Sequence, residues 1–239
     1  MKKTVFITGG SRGIGRCAVS ELCRLGYNVA FTYLNSKEDA KVLEKECGAL
    51  GILADVSKSD DVARAIDLAI ERFGKIDILI NNAGIDEFAL FTDITDEMWH
   101  RMIDTNLSSV FYTSRSVLPQ MISRKDGVII NISSMWGQVG ASCEVHYSVS
   151  KAGIIGLTKA LAKEVGPSGI RVNCICPGVI DTDMNKHLSE DDKEQLKNDT
   201  PLGKIGSCYD IFNSILFLCE DSSSFITGQI LGVNGGYII

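Results

Sequence analysis

Short apolar runs rich in β-branched residues alternate with longer segments of helical periodicity along the whole chain. Within residues 59–73, apolar side chains recur at the spacing of one helix face, at Val62, Ala65, Ile66, Ala69, Ile70 and Phe73. The apolar runs are TVFIT, YNVAFTY, LGILADV, IDILINNAG, GVIINISS, GIRVNCICPG and QILGVNGG. Because such runs fit strands buried on both faces, we expect a Rossmann-type α/β fold, a doubly wound parallel seven-stranded sheet with helices on both faces.

The 239 residues are interpreted as a single domain, 1–239, because no linker rich in proline, glycine or serine and no internal repeat divides them. The irregular part is residues 180–207, a polar segment interrupted by Pro201, Gly203 and Gly206. Such a segment is typical of a substrate lid, which we expect here. A pair of solvated surface helices is an equally good interpretation.

Charge and hydropathy exclude several classes of partner. Lys and Arg number 24 against 30 Asp and Glu, a net charge of -6, which argues against nucleic-acid binding because that needs a basic surface. No stretch approaches the roughly 20 apolar residues of a membrane span, and the first residues lack the apolar length of a signal peptide. We therefore expect a cytoplasmic protein with no membrane association.

Because thiols stay reduced in the cytoplasm, we expect the eight cysteines to be free thiols. Cys174 and Cys176 would share one face of a strand, and no metal site is expected.

The segment TGGSRGIG, residues 8–15, closes the first predicted strand and opens the first predicted helix. Gly9, Gly13 and Gly15 permit a tight turn and a close approach of the backbone to a ligand. The free N–H groups and positive dipole end of the helix favour a pyrophosphate. The glycine spacing departs from G-x-G-x-x-G, and glycine-rich turns also serve as plain connections, but this position favours a dinucleotide site.

Two further strand ends fit a dinucleotide, since open parallel sheets bind ligands at the carboxyl ends of their strands. Asp55 follows the third strand, where its carboxylate can accept hydrogen bonds from an adenine amino group. The small residues of NNAG, 81–84, follow the fourth strand and leave room for a cofactor.

The end of the second predicted strand discriminates between the nicotinamide cofactors. An NAD site usually has an acid there for the ribose 2′-hydroxyl, whereas this strand ends at Tyr33 and the first acid is Glu38, in a predicted helix. Arg12, with Ser36 or Lys37, could instead neutralise a 2′-phosphate, so NADP(H) is predicted in preference to NAD(H). A solvated surface arginine is the alternative for Arg12, and solvation is the stronger interpretation for Lys37.

Tyr147 and Lys151 are four residues apart in a predicted helix, so their side chains would lie on one face, one turn apart. A phenol is an acid available at neutral pH, and a neighbouring ammonium group lowers the cost of forming its phenolate. The pair is therefore a candidate proton donor and the charge that tunes it. An exposed helical pair is the alternative.

Six motifs occur in order along essentially the whole chain: TGGSRGIG, NNAG, DTNLSS, NISSMWG, YSVSK and CPGVIDT. Together they resemble the classical short-chain dehydrogenase/reductase family. The resemblance implies reduction of a ketone, with Tyr147 as the proton donor and Ser134 orienting the substrate oxygen. It also implies that Lys151 holds the nicotinamide ribose and that Asn106 supports a water that resupplies the proton. Ser133 would point to the opposite face of its strand.

The resemblance also implies a set of cofactor-binding residues: Gly9, Ser11, Arg12, Gly13, Ile14, Gly15, Asp55, Val56, Asn82, Ala83, Gly84, Tyr147, Lys151, Pro177, Gly178, Val179 and Thr182. His100, His146 and His187 are interpreted as bystanders, because adjacent helix positions point in different directions and no partner acid occupies a matching place.

Within the family, the chain is most similar to the β-ketoacyl-acyl-carrier-protein reductases of fatty acid biosynthesis, which share its length, the PLGKIG segment and the ITGQILGVNGG ending. This similarity implies a 3-oxoacyl-[acyl-carrier-protein] reductase, acyl-carrier protein as a partner, and a homotetramer with that ending in an interface. A buried last strand within a monomer is the alternative.

Three acidic residues are predicted near the mouth of the site: Asp86, Glu87 and Glu144. They would repel an acidic carrier protein, although Arg124 and Lys125 could form a docking patch; Ser168 stands where such reductases often carry a basic residue. An acidic mouth suits a cationic substrate, and SSMWGQVGASCEVHYS is similar to the reductases that act on a 5-aminopentanonyl group on elongation factor P.

Two other functions are compatible with the sequence. One is a steroid or sugar dehydrogenase of the same family. The other is a nucleotide-sensing protein without catalysis, although such proteins usually lose the tyrosine or the lysine of the YSVSK motif.

Overall fold

The computed structural model describes residues 2–186 and 188–239, so the interpretation of His187 falls outside the described residues. Within these ranges the chain forms one parallel sheet of seven strands in the order β3-β2-β1-β4-β5-β6-β7. The strands are β1 Thr4–Ile7, β2 Asn28–Tyr33, β3 Leu50–Leu53, β4 Ile78–Asn81, β5 Gly127–Ile132, β6 Ile170–Pro177 and β7 Ile230–Val233. The predicted fold class is confirmed.

The helices cover both faces of the sheet. They are α1 Gly13–Arg24, α2 Lys37–Cys47, α3 Ser59–Phe73, α4 Asp96–Ile103, α5 Ser109–Arg124, α6 Trp136–Val139, α7 Val145–Val165, α8 Glu190–Asp199 and α9 Cys208–Cys219. Successive strand residues point to opposite faces, so Val5 and Ile7 pack with α1, α2 and α9, whereas Phe6 packs with α3, α5 and α7. This two-sided burial explains why the strand sequences are almost continuously apolar.

The predicted helical region from Thr95 to Arg124 contains a break. A π-helical turn, Asp104–Ser108, lies between α4 and α5, and it carries Asn106. Turns of this kind are rare and occur frequently at functional sites.

The segment 180–207 leaves the end of β6 and returns to it. Its two ends are joined by a bridge between Ile180 and Gly206. Between them lie a short 3-10 turn, Asp183–Asn185, and α8, whose described residues are all at least partly exposed and which begins with a capping box formed by Ser189 and Asp192. The segment is therefore a closed loop anchored at the carboxyl edge of the sheet.

The direction in which successive strands are added to the sheet reverses between β1 and β4. The chain builds outward from β1 to β3, then crosses back to place β4 on the other side of β1. Such a reversal opens a crevice at the carboxyl ends of the two strands, which is the usual ligand site of this architecture.

Four buried polar side chains join β4 and β5 to each other and to the helices α5 and α7. Asn81 of β4 donates to Asn131 of β5 (2.8 Å) and accepts from Thr113 of α5 (2.6 Å). Asn131 donates in turn to the hydroxyl of Thr158 on α7 (2.9 Å). Because all four residues are inaccessible or nearly so, each bond satisfies a group that would otherwise be buried without a partner.

Thr158→Val should therefore destabilise the protein although it hardly changes side-chain volume. It removes the acceptor of the Asn131 amide, and a buried donor left without a partner costs about 1–3 kcal/mol. Thr92→Val, at an exposed position, is the matched control and should change the free energy of unfolding by less than about 0.5 kcal/mol. Urea unfolding measures both, and equal effects would contradict the role assigned to the network.

Candidate active site

A glycine-rich turn leads from β1 into α1. Gly9 and Gly13 have φ values of 66° and 52°, in the left-handed region that favours glycine. A Cβ on Gly15 would lie 2.2 Å from the carbonyl oxygen of Gly9, so only glycine fits there. The geometry therefore requires glycine at all three positions selected from the sequence.

The turn is fastened to the end of β4. The hydroxyl of Thr8 accepts hydrogen bonds from the N–H groups of Asn82 and Ala83, each at 3.0 Å. The Asn82 amide donates to the carbonyl groups of Thr8 and Gly9, also at 3.0 Å. Asn82, expected to bind cofactor, thus uses both of its amide hydrogens to shape the turn, and Thr8 is a contributor that sequence reasoning missed.

The start of α1 has the properties of an anion cradle. Among the described residues no side chain caps this helix end, and its first turn contains no acid. Ser11 is buried, Ile14 packs against the core, and Arg12 is exposed at the cap position. Uncapped N–H groups at a helix N-terminus bind phosphate groups readily, so these residues fit a dinucleotide pyrophosphate.

Asp55 and Val56 follow β3 at the same edge of the sheet. The Asp55 carboxylate accepts hydrogen bonds from the N–H and hydroxyl groups of Ser57 (3.0 and 2.6 Å), while its second oxygen lies 3.8 Å from the Lys58 ammonium group. Val56 is buried. The carboxylate is fixed in orientation, but part of its hydrogen-bonding capacity is already used.

The segment after β6 lies across the phosphate turn. A Cβ on Gly13 would be 3.5 Å from the Thr182 side chain, which places Thr182 directly beside α1. Pro177 ends β6, and its carbonyl accepts from Met135 (2.9 Å). A Cβ on Gly178 would approach the Asn234 backbone to 2.8 Å, so glycine is required there. The carbonyl of the next residue, Val179, accepts from Gly206 (3.0 Å) and helps to close the base of the 180–207 loop.

Asn106 is completely buried and ties three segments together. Its amide oxygen accepts from the N–H of Ile85 (2.8 Å), and its amide nitrogen donates to the Ile85 carbonyl (2.9 Å) and to the Ser150 hydroxyl (3.1 Å). A Cβ on Gly84 would lie 3.3 Å from both the Asn106 oxygen and the Lys151 Nζ. Gly84 is therefore the residue that lets Asn106 and Lys151 approach each other.

Tyr147 and Lys151 are buried on one face of α7, so they are not an exposed pair. The Lys151 Nζ lies 5.6 Å from the centroid of the Tyr147 ring and donates to the Ile132 carbonyl at the end of β5 (3.1 Å). The Ser134 side chain lies beside the phenol and lowers its pKa. The Ser133 hydroxyl instead donates to the Lys151 carbonyl (2.8 Å) and anchors α7 to the sheet.

Burial controls the protonation of this pair. Desolvation raises the pKa of the Tyr147 phenol, the Ser134 hydrogen bond lowers it, and the nearby carboxylates of Asp86 and Glu144 raise it further. Desolvation also lowers the pKa of Lys151 to about 8. The sequence predicted that the lysine would lower the phenol's pKa, whereas the pKa of Tyr147 is raised here and burial is the largest cause. At neutral pH Tyr147 is consequently a protonated phenol, the form that donates a proton.

The three acids expected at the mouth have different environments. Glu87 forms an ion pair with Arg101, which neutralises its charge. Glu144 is only 6% exposed, and burial together with Asp86 raises its pKa to about 7. Asp86 is partly buried beside it. The mouth therefore carries less negative charge than the sequence indicates, and Arg101 is a determinant that sequence reasoning missed.

Arg124 and Lys125, the predicted docking patch, lie at the end of α5. Arg124 donates to the Ile76 carbonyl (2.8 Å) and lies 3.7 Å from the Asp77 carboxylate, so it fastens the end of α5 to the start of β4. Lys125 is exposed. Both precede β5 and therefore lie at the amino edge of the parallel sheet, opposite the edge that holds Tyr147.

His100 and His146 take no part in this arrangement. His146 is completely buried, and among the described residues neither of its ring nitrogens has a hydrogen-bond partner. His100 is exposed on α4. An aromatic pair that the sequence did not reveal also flanks the site. The backbone N–H of Trp136 donates to the Ser134 hydroxyl (3.1 Å). The Trp136 ring packs edge-on against the Tyr237 ring, with ring centroids 5.9 Å apart.

Over the described ranges, no helix is long and apolar enough to cross a membrane. No group of three or more His, Cys, Asp or Glu residues is placed to hold a metal ion in the same part of the chain.

Comparison with known proteins identifies close relatives. A family model described as enoyl-(acyl carrier protein) reductase matches residues 9–238. The 3-oxoacyl-[acyl-carrier-protein] reductase FabG of Staphylococcus epidermidis is 42% identical over 99% of this chain and 99% of its own. The enzymes of that name from Staphylococcus aureus and Chlamydia trachomatis are also 42% identical over 99% of this chain, and over 98% and 97% of their own.

A solved structure matches the fold of this chain over nearly its full length. It is a Serratia marcescens short-chain dehydrogenase/reductase carrying two substitutions, with a TM-score of 0.92 and 33% identity over 98% of this chain and 97% of its own. Sequence and fold agree over essentially full length, and the cluster of Ser134, Tyr147 and Lys151 stands at the crevice where this fold binds ligands. The chain is therefore an oxidoreductase acting on CH–OH and C=O groups, and it belongs to the short-chain dehydrogenase/reductase family.

Proposed function

We propose that this enzyme is an NADPH-dependent 3-oxoacyl-[acyl-carrier-protein] reductase, which reduces the ketone of a carrier-bound thioester to a secondary alcohol. The observation that carries the proposal is the juxtaposition of a buried, protonated Tyr147 with Ser134 and Lys151. The full-length relatives that bear this name supply the substrate class.

Reduction of a ketone requires a hydride at carbon and a proton at oxygen. A bound nicotinamide dinucleotide supplies the hydride. Tyr147 would donate the proton, while the Ser134 hydroxyl would hydrogen-bond to the same ketone oxygen and orient it. The Lys151 ammonium group would stabilise the resulting phenolate until it is reprotonated.

Lys151 and Asn106 would have a second role in this scheme. Lys151 would hold the nicotinamide ribose, and Asn106 would support a water that returns a proton toward Lys151. The Asn106 oxygen and the Lys151 Nζ both lie 3.3 Å from the Cβ position of Gly84, which supports such a connection.

The dinucleotide would lie along the carboxyl edge from β3 to β6. The α1 N-terminus, with Gly9, Gly13, Ile14 and Gly15, would hold the pyrophosphate. Asp55 and Val56 would contact the adenine, whereas Ala83, Gly84 and the residues from Pro177 to Thr182 would contact the nicotinamide half.

Selection of NADPH would rest on Arg12. The chain after β2 offers no acid for a ribose 2′-hydroxyl before Glu38, and Glu38 is ion-paired with Lys41 on α2 (3.1 Å). Arg12 is exposed at the end of α1 that would face the cofactor phosphates. It lies close enough to Asp183 for its positive charge to lower the pKa of that carboxyl group.

We also propose a homotetramer and a lid. The sheet ends at β7, whose outer edge carries the exposed Leu231, and exposed edges of this kind commonly pair with another chain. An apolar groove of about 420 Å³ between α5 and α7, lined by Phe111, Leu118 and Leu161 among others, supports further contacts between subunits.

The loop 180–207, closed at its base, would act as the lid over the substrate site. A cytoplasmic location belongs to the same proposal.

A second candidate substrate is a ketone that carries a primary amine, such as the 5-aminopentanonyl group on elongation factor P. The observation that favours it is Glu144, which is more than nine-tenths buried close to Tyr147 and has no cation as a partner among the described residues. A substrate ammonium group would supply that partner.

Tyr147→Phe tests the chemical step. Loss of the proton donor should lower kcat by at least about 100-fold while cofactor binding, followed by nicotinamide fluorescence, changes less than about twofold. Tyr112→Phe, which changes a tyrosine on the far helix α5, should leave both unchanged. Retention of activity by Tyr147→Phe would exclude the assigned donor.

Arg12→Ala tests the cofactor preference. If Arg12 neutralises a 2′-phosphate, KM for NADPH should rise about 10-fold, since a charged hydrogen bond is worth about 1.5–3 kcal/mol, and KM for NADH should change little. Lys45→Ala, which removes an exposed positive charge on α2, is the matched control and should affect neither. An equal loss with both cofactors would show that Arg12 does not read the phosphate.

The two substrates are separated by initial rates on an acetoacetyl thioester and on a primary-amine ketone. The main proposal predicts faster thioester reduction with NADPH. The second candidate predicts selective reduction of the amine, with Glu144→Gln lowering that preference about 10-fold or more because a buried charged hydrogen bond is lost. An unchanged preference in Glu144→Gln would eliminate the second candidate.

A further inference from the structure

The segment 234–239 folds back on itself at the carboxyl edge of the sheet, directly after β7. The carbonyl of Val233, the last residue of β7, accepts from the N–H of Gly178 (3.0 Å), so the segment starts beside the end of β6. The Asn234 side chain donates to the Ile238 carbonyl (3.0 Å), and its oxygen accepts from the N–H two residues further along the chain (3.0 Å). These bonds fix the turn of the segment.

This segment contacts the loop 180–207 where that loop returns toward the sheet. The Gly235 carbonyl accepts from the N–H of Leu202 (3.1 Å). A Cβ on Gly236 would lie 3.1 Å from the Pro201 ring, so the absence of a side chain there permits the close approach. The returning part of the proposed lid therefore packs directly against the segment 234–239.

The same segment contacts the residues that follow β5 through Tyr237. The Tyr237 ring packs against the Trp136 ring with centroids 5.9 Å apart and an angle of 86° between the ring planes, and both residues are partly buried. This edge-on geometry is favourable because the positive edge of one ring meets the negative face of the other. The Tyr237 N–H also donates to the Asn234 carbonyl (3.2 Å), which ties the ring to the same turn.

Trp136 in turn fixes the hydroxyl of Ser134. The backbone N–H of Trp136 donates to the Ser134 Oγ (3.1 Å), and the N–H of the intervening Met135 donates to the Pro177 carbonyl of β6 (2.9 Å). A hydroxyl group has one hydrogen to donate and two lone pairs that accept. Because the Trp136 N–H occupies a lone pair, the hydrogen of Ser134 remains available for a ketone oxygen.

We infer that Tyr237 is a positioning residue, which couples the loop 180–207 to the orientation of the Ser134 hydroxyl through Trp136. The segment that carries Tyr237 contacts the loop on one side and Trp136 on the other. The inference rests on the proposed role of Ser134 in orienting the ketone. Its consequence is that the ring contact affects the chemical step, whereas the pyrophosphate cradle at the start of α1 does not depend on it.

Tyr237→Leu tests the ring contact. Loss of the ring should let Ser134 turn away, so kcat for reduction of an acetoacetyl thioester should fall about 10-fold while Kd for NADPH, from nicotinamide fluorescence, changes less than about twofold. Tyr237→Phe keeps the aromatic edge contact and should retain most of the rate. Phe225→Leu removes a fully exposed aromatic ring outside the segment and should change neither quantity.

Two results of this comparison would overturn the inference. One is an unchanged kcat in Tyr237→Leu. The other is an equal loss of kcat and of NADPH affinity together with a lower urea midpoint, since that pattern indicates a general loss of structure.

A double-mutant cycle tests the link to the loop. Pro201→Ala weakens the contact with Gly236 and should lower kcat about threefold on its own. If the loop acts through Tyr237, Pro201→Ala should cause little further loss in the Tyr237→Leu background. An unchanged kcat in Pro201→Ala alone, or losses that multiply in full in the double variant, would overturn the coupling.

A further measurement does not depend on turnover. The chain has two tryptophans, so Trp99→Phe leaves Trp136 as the sole tryptophan emitter. In that background Tyr237→Leu should move the emission to longer wavelength and increase quenching by acrylamide, because the Trp136 ring loses a packed neighbour. An unchanged spectrum would overturn the inference. Failure of the wild-type enzyme to reduce any ketone, with the spectral change present, would count against the proposed function instead.

Discussion

The hydrogen bonds between Thr8 and Asn82 are the interaction on which the rest of the site depends. They join the end of β1 to the end of β4, the two strands between which the chain reverses its direction of winding. The Asn82 amide occupies the Thr8 and Gly9 carbonyl groups, so the turn keeps its shape without using the N–H groups at the start of α1. Those N–H groups remain directed at the crevice, which makes the anion cradle a property of the backbone.

On the other side of the crevice, positioning depends on polar groups that are satisfied beneath the surface. The Lys151 carbonyl accepts from Ser133, and its ammonium group donates to Ile132, so both ends of the residue are fixed to β5. Asn106 is held in a π-helical turn by the backbone of Ile85. A buried lysine is costly unless its donors have acceptors. The same bonds that meet this cost hold the ammonium group close to the phenol, so stability and orientation have one origin here.

The sequence predicts the fold because parallel strands buried on both faces leave a clear alternation of apolar runs and helical periodicity. It predicts the candidate site because the glycine turn and the Tyr147–Lys151 spacing are local patterns. It does not predict the π-helical turn at Asn106, since five residues within a helical region carry no distinct periodicity. The ion pairs of Glu87 with Arg101 and of Arg124 with Asp77 join segments that are distant in sequence, and the burial that raises the Tyr147 pKa is likewise a tertiary property.

These tertiary contacts change the argument about substrate charge. Three acids at the mouth would oppose an acidic carrier protein if each were fully ionised and free. Glu87 is neutralised by Arg101, and burial together with Asp86 raises the pKa of Glu144 to about 7, so the repulsion is weaker than three full charges imply. Lys125, at the opposite edge of the sheet, is not placed to attract a carrier toward Tyr147 of the same subunit. Acceptance of an acidic partner at this mouth would therefore depend more on the removal of negative charge than on the presence of a basic patch.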